Sequence, residues 1–291
     1  MSMLKTALEN GEFAVTAELA PPKGTDFSRA LQIAETFGDR VHAINVTDFQ
    51  SSTLKASSLA MCKALIDLGL EPVLQITGRD RNRIAIQGEM LSAGFFGVKN
   101  LLALTGDHPT VGDNPGAKPV YDLDSVGILQ AAKVLASGVD MSGNKLEGSP
   151  SFFLGASVTP EYDPIELQLI KMEKKIKAGA RFFQTQAVYD IKTMEKFKEM
   201  TKHLNTKILV GIIPLKSAGM AKFMNKNIPG INVPDHLIDR LKNSNDPVKE
   251  GIKIAGELIV ELREKNLCDG VHIMAIGAEE NIPLILDEAG L

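Results

Sequence analysis

The sequence predicts an α/β protein of the (β/α)8, or TIM, barrel class, and three observations support this prediction. Short β-branched apolar runs alternate with longer amphipathic stretches to the end of the chain, as in repeated βα units around a parallel sheet. Eight such runs can be counted, and their nearly continuous apolar character is typical of strands covered on both faces. A length of 291 residues is common for one barrel. We therefore expect a single domain over residues 1–291.

The predicted elements follow one another as eight strand–helix pairs. The strands cover 13–18, 41–47, 72–77, 99–104, 151–157, 180–186, 207–213 and 270–276. The helices between and after them cover 26–37, 53–68, 80–94, 123–137, 163–178, 190–204, 217–227 and 247–266. A helix-like segment at 1–12 precedes the first strand, and a further helix near 279–289 follows the last one. We expect these two as extra N-terminal and C-terminal helices.

Capping residues mark the ends of the predicted helices. Side chains that can accept hydrogen bonds from free first-turn amides stand at five of the starts: Asp26, Thr53, Asp122, Asp163 and Asp190. Glycines, which suit the left-handed conformation after a last turn, stand at five of the ends: Gly38, Gly69, Gly94, Gly138 and Gly179. These signals agree with the count of βα units.

An open, doubly wound sheet that binds a dinucleotide is the main alternative to the barrel. Such a sheet usually carries GxGxxG after its first strand, and neither this motif nor GxxxxGK occurs in the sequence. The barrel is therefore favoured. The Gly- and Pro-rich stretch 106–122 is long for a βα loop and is predicted to cover a functional site. Residues 138–150 are predicted to form a second loop at the opposite rim.

Composition and charge exclude several classes of function. The net charge is −4, and no basic stripe or polybasic tract suggests nucleic acid or a membrane surface. Cys62 and Cys268 are far apart and in no CxxC pair, so a disulfide framework, a zinc site and an iron–sulfur site are not expected. There is no apolar signal core and no apolar run near the ~18 residues that span a bilayer. We expect a cytoplasmic protein that binds a small molecule.

The ends of the predicted strands supply the candidate chemistry, because barrel active sites are built at the carboxyl ends of strands. Glu18 ends the first strand just before Pro21, and Asp107 follows the fourth strand after Gly106. The five histidines are not paired at metal-ligand spacing, and no GxSxG elbow occurs. Other strand ends offer amides and hydroxyls, which suit a heteroaromatic ligand whose chemistry comes from a cofactor. These residues are Asn45, Thr47, Gln75, Thr77, Thr105, Ser157, Thr159, Gln184 and Gln186.

Five segments along the chain resemble the methylenetetrahydrofolate reductase family. Each is a weak motif alone, but their order and spacing are specific, and together they extend over nearly the whole chain. They are Ala17–Lys23, Asn45–Asp48, Leu104–Asp107, Lys174–Ala180 and Thr185–Asp190. The segment Gln75–Arg83 is most similar to bacterial branches of the family, which consist of a short catalytic barrel.

The resemblance implies a flavoenzyme that interconverts 5,10-methylenetetrahydrofolate and 5-methyltetrahydrofolate by hydride transfer through the flavin. In such an enzyme Glu18 is the acid that protonates a bridging nitrogen of the folate and opens its ring. Asp107 lies near the pyrimidine end of the flavin and contacts the pterin, and its charge tunes the flavin potential. Gln186 binds the pterin edge, and Gln184 shares its side of the strand.

The resemblance also implies a set of flavin-binding residues. Lys174 and Lys175 stand where relatives use a basic pair against the flavin phosphates. Tyr121 is expected on the return of the covering loop. The other residues implied to line the flavin are Thr47, Gln75, Leu104, Thr105, Gly106 and Ala156. The resemblance favours FAD as the cofactor. FMN is the alternative, because the sequence shows no recognisable motif that binds adenosine.

The chain departs from the family pattern after the seventh strand. Ala218 stands where relatives carry an aromatic residue that stacks on the nicotinamide donor, so the electron donor is either NAD(P)H or a partner subunit with iron–sulfur clusters. A homo- or hetero-oligomer is expected. Two other functions stay open, namely a non-catalytic flavin- and folate-binding electron-transfer subunit and an unrelated barrel lyase with Glu18 as its base. His42 and His272 are expected to be hydrogen-bonded barrel histidines.

Overall fold

Eight parallel strands form a closed barrel in the computed structural model, which describes residues 2–291. Each strand pairs with the next, and β1 closes the barrel on β8 with Ala14 opposite Gly270. The strands are β1 Ala14–Leu19, β2 Ala43–Val46, β3 Pro72–Thr77, β4 Asn100–Leu104, β5 Phe153–Val158, β6 Phe182–Ala187, β7 Lys207–Ile212 and β8 Gly270–Ile273. The predicted barrel class is confirmed.

Helices follow the strands and form an outer layer. They are α1 Met3–Asn10, α2 Ser28–Phe37, α3 Ser58–Asp67, α4 Arg83–Phe96, α5 Ser125–Ala136, α6 Ile165–Ala178, α7 Ile191–Thr201, α8 Ala218–Asn227, α9 Asp235–Asn243, α10 Pro247–Glu264 and α11 Ile282–Glu288. The extra helices at the two ends, α1 and α11, are as expected. Helix α9 was not predicted, although Leu237, Ile238 and Leu241 give it a buried apolar face. None of the helices within residues 2–291 is long and apolar enough to cross a membrane.

The predicted capping residues are partly correct. Asp190 caps α7 through Lys192 N, and Gly179 ends α6. Asp26 accepts from Ser28 N at 2.9 Å. Gly94 was wrongly placed at a helix end, because it lies inside α4, which continues to a left-handed Gly97.

Three predicted N-caps are wrong, because each helix begins later than expected. Thr53 follows a 3₁₀ turn, and α3 starts only after Ser57, whose hydroxyl accepts from Leu59 N. Asp124 caps α5 in place of Asp122, which instead binds Arg83. Asp163 is separated from α6 by Pro164, and no side chain among residues 2–291 caps this helix.

An apolar layer closes the amino-terminal end of the barrel. Side chains of seven strands, β1 to β7, and of α1 pack there around two phenyl rings, Phe153 and Phe182, whose centroids are 5.0 Å apart. Gly155 leaves the space that the second ring fills, since a Cβ there would lie 2.2 Å from Phe182. The other buried members include Leu4, Ala7, Leu8, Ala14, Ala43, Val73, Leu102 and Leu209.

Glu71, which directly precedes β3, fixes helix α1 against this layer. Its carboxylate accepts hydrogen bonds from the backbone amides of Met3 and Leu4 and from the hydroxyl of Ser2. Asn100 completes the group by donating to the same carboxylate at 2.8 Å. An anion at a helix N-terminus satisfies free amides and interacts favourably with the helix dipole, so the buried charge is compensated.

The two long loops lie at opposite ends of the barrel, as predicted. The 106–122 stretch follows β4 and returns to the wall, where Val120 N and Tyr121 N donate to the carbonyls of Arg79 and Gly78. The 138–150 stretch joins α5 to β5 at the other end and carries a short antiparallel bridge between Val139 and Lys145.

Candidate functional site at the carboxyl end of the barrel

A cavity of about 580 Å³ opens at the carboxyl end of the strands. Most of the predicted strand-end residues line it, including Glu18, Gln75, Asp107, Gln184 and Gln186. A larger cleft of about 750 Å³ lies near the amino-terminal end and is lined mainly by lysines and apolar side chains. Strand-end carboxylates and amides converge only on the first cavity among the described residues, which makes it the candidate site.

Glu18 lies at the end of β1 with its carboxylate in this cavity and its residue only 9% exposed. Gln50 Nε2 donates to Oε1 at 3.0 Å, and Gln75 Nε2 lies 3.4 Å from Oε2. The His272 Nε2 atom is 3.8 Å from the same Oε2. The sequence singled out Glu18 and Gln75 as site residues, but it gave no signal for Gln50, which lies in a loop.

A polar layer lies directly below the mouth of the cavity. Asn45 and Gln184 exchange two hydrogen bonds, of 2.7 and 3.0 Å, across the barrel. Gln184 Nε2 also donates to Thr16 Oγ1 at 3.1 Å. Gln184 is therefore held by buried partners. Gln186 lies two residues further along β6, and in the described structure its side chain accepts only from Ala187 N and lines the cavity.

The loop after β4 places Asp107 at the cavity on a rigid support. Gly106 has φ +89° and lies so close to the wall that a Cβ would come within 3.0 Å of Arg79. The buried Arg79 guanidinium donates to the carbonyl of Asp107 at 3.2 Å, and Tyr121 OH donates to the carbonyl of Gly106 at 3.2 Å. A side chain at position 106 would thus be strained by conformation and crowded by Arg79 and Thr77.

Asp48, another strand-end carboxylate, is held in a buried ion pair. Arg81 binds both of its oxygens, at 2.7 and 3.0 Å, and Thr77 donates to it from N and from Oγ1. A carboxylate that already accepts four hydrogen bonds has little capacity left for a ligand. This pair supports the turn at Phe49–Ser52, where three non-glycine residues have positive φ.

Two lysines of α6 reach the cavity, and they are not the adjacent pair expected from the sequence. Lys171 and Lys175 line the cavity four residues apart, whereas Lys174 is exposed on the outer face. Adjacent residues on a helix point about 100° apart, whereas residues at i and i+4 share a face. The helical period was therefore the signal that could have identified Lys171.

Lys175 is a buried cation at the edge of the site. Its Nζ donates to the carbonyl of Ser157 at 2.7 Å, and the residue is 8% exposed. Burial, followed by the charge of Lys171, lowers the pKa of Lys175 to about 8. The desolvated ammonium gains stability from any anion that enters the cavity beside it.

The remaining predicted flavin contacts lie in different places. Leu104 and Thr105 line the cavity. Thr47 is buried, and its Oγ1 has no hydrogen-bond partner among residues 2–291. Ala156 packs in the core between the sheet and the helices, and the structure does not bring it to the cavity. The neighbouring Ser157 lines the cavity instead, because alternate strand residues face opposite sides.

The described part of the chain contains no group of three or more His, Cys, Asp or Glu side chains placed to hold a metal ion. The cavity instead combines the carboxylates of Glu18 and Asp107, a closely packed loop at Gly106, several amides and the buried cation Lys175. This set fits an extended ligand with a planar heteroaromatic part and an anionic group.

Comparison with known proteins gave a family match over nearly the whole chain. The model of the family described as methylenetetrahydrofolate reductase matches residues 3–290. A probable methylenetetrahydrofolate reductase (NADPH) of Caenorhabditis elegans is 26% identical over 83% of this chain, and the chain spans about a third, 34%, of that protein's length. The 5,10-methylenetetrahydrofolate reductase of Salmonella typhimurium is 23% identical, with 89% of this chain and 85% of that protein covered.

A solved structure with the same fold is an uncharacterized protein from Clostridium thermocellum described as binding two copies of 5-methyl-5,6,7,8-tetrahydrofolic acid. It superposes with a TM-score of 0.63 at 18% sequence identity, over 98% of this chain and 97% of the other. A 2,3-dimethylmalate lyase superposes less well, with a TM-score of 0.51 at 10% identity. At these identities the structural similarity supports the fold.

Proposed function

The chain belongs to the methylenetetrahydrofolate reductase family, and from this premise we propose that it is a flavin-dependent reductase that interconverts 5,10-methylenetetrahydrofolate and 5-methyltetrahydrofolate. The observation that carries the proposal is the convergence of Glu18, Asp107 and Gln186 on one cavity beside two lysines. Family membership and the name of the folate-binding structural relative further support a folate substrate.

The chain's own residues fit a flavin in three respects. Gly106 lets the loop lie close against Arg79 and Thr77 at the cavity edge, Thr47 has a buried hydroxyl with no partner among residues 2–291, and Lys175 is a buried cation that an anion would stabilise. In this proposal Lys171 and Lys175 hold the phosphates, and Gln75, Leu104, Thr105 and Gly106 lie along the ring. FAD is the proposed form, with FMN as the alternative. When bound, the flavin supplies the hydride.

Glu18 is proposed to act as the general acid. Protonation of a bridging nitrogen of methylenetetrahydrofolate cleaves its bond to the methylene carbon and leaves an electrophilic iminium. The hydride then adds to this carbon and completes the methyl group, so one proton and one hydride enter the product. Positioned general acids contribute about 10²–10⁴-fold to such steps. The amides of Gln50 and Gln75 orient the Glu18 carboxyl for this transfer.

Asp107 and Gln186 are proposed to bind the pterin. The pterin edge presents both donors and acceptors, which an amide and a carboxylate can match together. Asp107 also places a negative charge near the flavin, which disfavours an anionic reduced form and lowers its potential. The electron donor in this proposal is NAD(P)H or an iron–sulfur partner, because Ala218 offers no aromatic face to a nicotinamide ring.

The visible spectrum of the purified protein, loaded with flavin and kept anaerobic, tests the proposed function. Addition of 5-methyltetrahydrofolate is expected to bleach the oxidised flavin band, since the substrate then reduces the flavin. This half-reaction needs no knowledge of the natural electron donor. Binding of flavin and folate without bleaching would favour the electron-transfer subunit, and failure to bind flavin would reject the cofactor.

Changing Lys175 to Met is expected to weaken binding of FMN and FAD by about tenfold to 100-fold, the equivalent of one hydrogen bond to a charged group. The pKa of Lys175 is lowered to about 8, so the side chain is cationic below this pH and neutral above it. Flavin affinity of the unmodified protein should therefore fall as pH rises through about 8, whereas the variant should lack this dependence. Quenching of flavin fluorescence measures both affinities.

Lys174→Met is the matched control, because it removes an adjacent lysine from the outer face of the same helix. Its flavin affinity should equal that of the unmodified protein. Riboflavin, which lacks a phosphate, should bind Lys175→Met and the unmodified protein equally. An equal loss of riboflavin binding would show that Lys175 does not act on the phosphate.

A further inference from the structure

His272 is a buried titratable side chain that no step of the proposed reaction uses. It lies on β8, faces the barrel interior and is 3% exposed. Its Nε2 atom lies 3.8 Å from Glu18 Oε2, just beyond hydrogen-bond distance. The other ring nitrogen, Nδ1, lies 2.9 Å from Thr16 Oγ1. The sequence predicted a hydrogen-bonded barrel histidine, and the structure adds that its free edge faces the proposed acid.

The partners of Thr16 determine which ring nitrogen carries the proton. Gln184 Nε2 donates to Thr16 Oγ1, and Gln184 is itself fixed by its two bonds with Asn45. The single hydroxyl proton of Thr16 then has two acceptors, His272 Nδ1 at 2.9 Å and the Val271 carbonyl at 3.4 Å. The shorter contact makes Nδ1 the acceptor, so the neutral ring carries its proton on Nε2, toward Glu18.

We propose that His272 is a positioning residue for Glu18, held by the chain Asn45–Gln184–Thr16 so that its Nε2–H group faces the Glu18 carboxyl. This inference rests on the proposed function. When Glu18 has given its proton to the folate, the remaining carboxylate is stabilised by this N–H group and by the amides of Gln50 and Gln75. A short movement of the carboxylate toward the ring turns the 3.8 Å separation into a hydrogen bond.

Few charged groups lie close to His272 and Glu18, so the effect of one of these residues on the other can be measured. Glu18 is the one carboxylate within 4 Å of a ring nitrogen of His272 among residues 2–291. The neighbouring strands present Thr16 from β1 and Gly211 from β7, and Gln184 and Asn45 face it across the barrel. The other charged groups lining the cavity are on separate elements: Asp48, Arg79, Asp107, Lys171 and Lys175.

Nitrogen-15 NMR of the histidine-labelled protein without flavin tests the ring directly. The His272 signals are expected to show the Nε2–H form, and its titration is expected to move to lower pH in Glu18→Gln, because the neighbouring negative charge is gone. An Nδ1–H ring, or a titration that Glu18→Gln leaves unchanged, would overturn the proposal. This measurement does not depend on any activity of the protein.

Kinetics of the flavin-loaded enzyme provide the second test. In His272→Asn, reoxidation of the reduced flavin by methylenetetrahydrofolate should slow about tenfold to 100-fold, as for a displaced catalytic group. The high-pH limb of this rate should move to higher pH, since the Glu18 carboxylate loses a stabilising donor. Thr16→Val should reproduce both effects, and Thr16→Ser should restore unmodified behaviour. His203→Asn, on the exposed surface after α7, is the control with no expected change.

A purely structural histidine would give a different result. His272→Asn and Thr16→Val would then lower stability or rate with the pH limb unmoved, and the proposal would be rejected. If His272→Asn does not fold, Thr16→Val still decides the question. Failure of the proposed function is distinguishable, because the unmodified protein itself would then show no flavin reoxidation by the folate.

Discussion

Glu18→Gln is expected to slow reduction of methylenetetrahydrofolate by about 10²–10⁴-fold, the usual contribution of a general acid. Glutamine is nearly isosteric, and its carbonyl oxygen can still accept from one of the two amides, Gln50 or Gln75, but it has no acidic proton to give. Flavin binding should be unchanged, because no phosphate or ring contact is removed. Stopped-flow measurement of reduced-flavin reoxidation by the folate gives the rate, and a flavin titration gives the affinity.

Glu12→Gln is the matched control for this variant, since Glu12 is an exposed carboxylate just before β1. It should react at the rate of the unmodified protein. A Glu18→Gln variant that reduces the folate normally would remove the acid role from Glu18. Reduction of the flavin by an artificial donor should proceed in both variants, which separates the loss of proton transfer from a loss of flavin chemistry.

Phe182→Ala is expected to lower the free energy of unfolding by about 3–5 kcal/mol, the range for deleting a buried phenyl group. The ring is 0% exposed, stacks on Phe153 and fills the space left by Gly155. The closed layer around it cannot collapse easily, because its nine other buried side chains are held by their own strands and by α1. Urea unfolding followed by circular dichroism measures the change in stability.

Phe223→Ala removes the same group from α8, where the side chain is 61% exposed, and it should change stability by less than about 0.5 kcal/mol. Equal losses in the two variants would show that the closed layer adds no more than surface packing. The Phe182 variant should also keep an unchanged slope of stability against urea, since only the folded state loses contacts.

The barrel itself could be predicted because its signals are local. Alternating strands and amphipathic helices determine the number and order of the βα units, and capping residues such as Asp190 and Gly179 mark their ends. Helix boundaries were less predictable, because several candidate caps compete. Asp122 and Asp124 are both good N-caps, and the pairing of Asp122 with Arg83 decides between them. That pairing depends on the folded chain.

The site could be predicted to the extent that strand ends meet at one edge. Glu18, Asp107, Gln75 and Gln186 all lie at the cavity for this reason. Gln50 could not be found, since its contact with Glu18 depends on a turn whose positive φ values do not follow from its residue types. The family resemblance alone favoured Gln186 over Gln184, since the contact that holds Gln184 to Asn45 depends on the folded chain.

The anchoring of α1 determines when the barrel can be completed during synthesis. Helix α1 precedes every strand, yet its binding surface includes Leu209 of β7, about 200 residues later in the chain. A helix of eight residues has little stability alone in water. Helix α1 is therefore synthesised before every strand but can dock completely only after Glu71 and the far strands are in place.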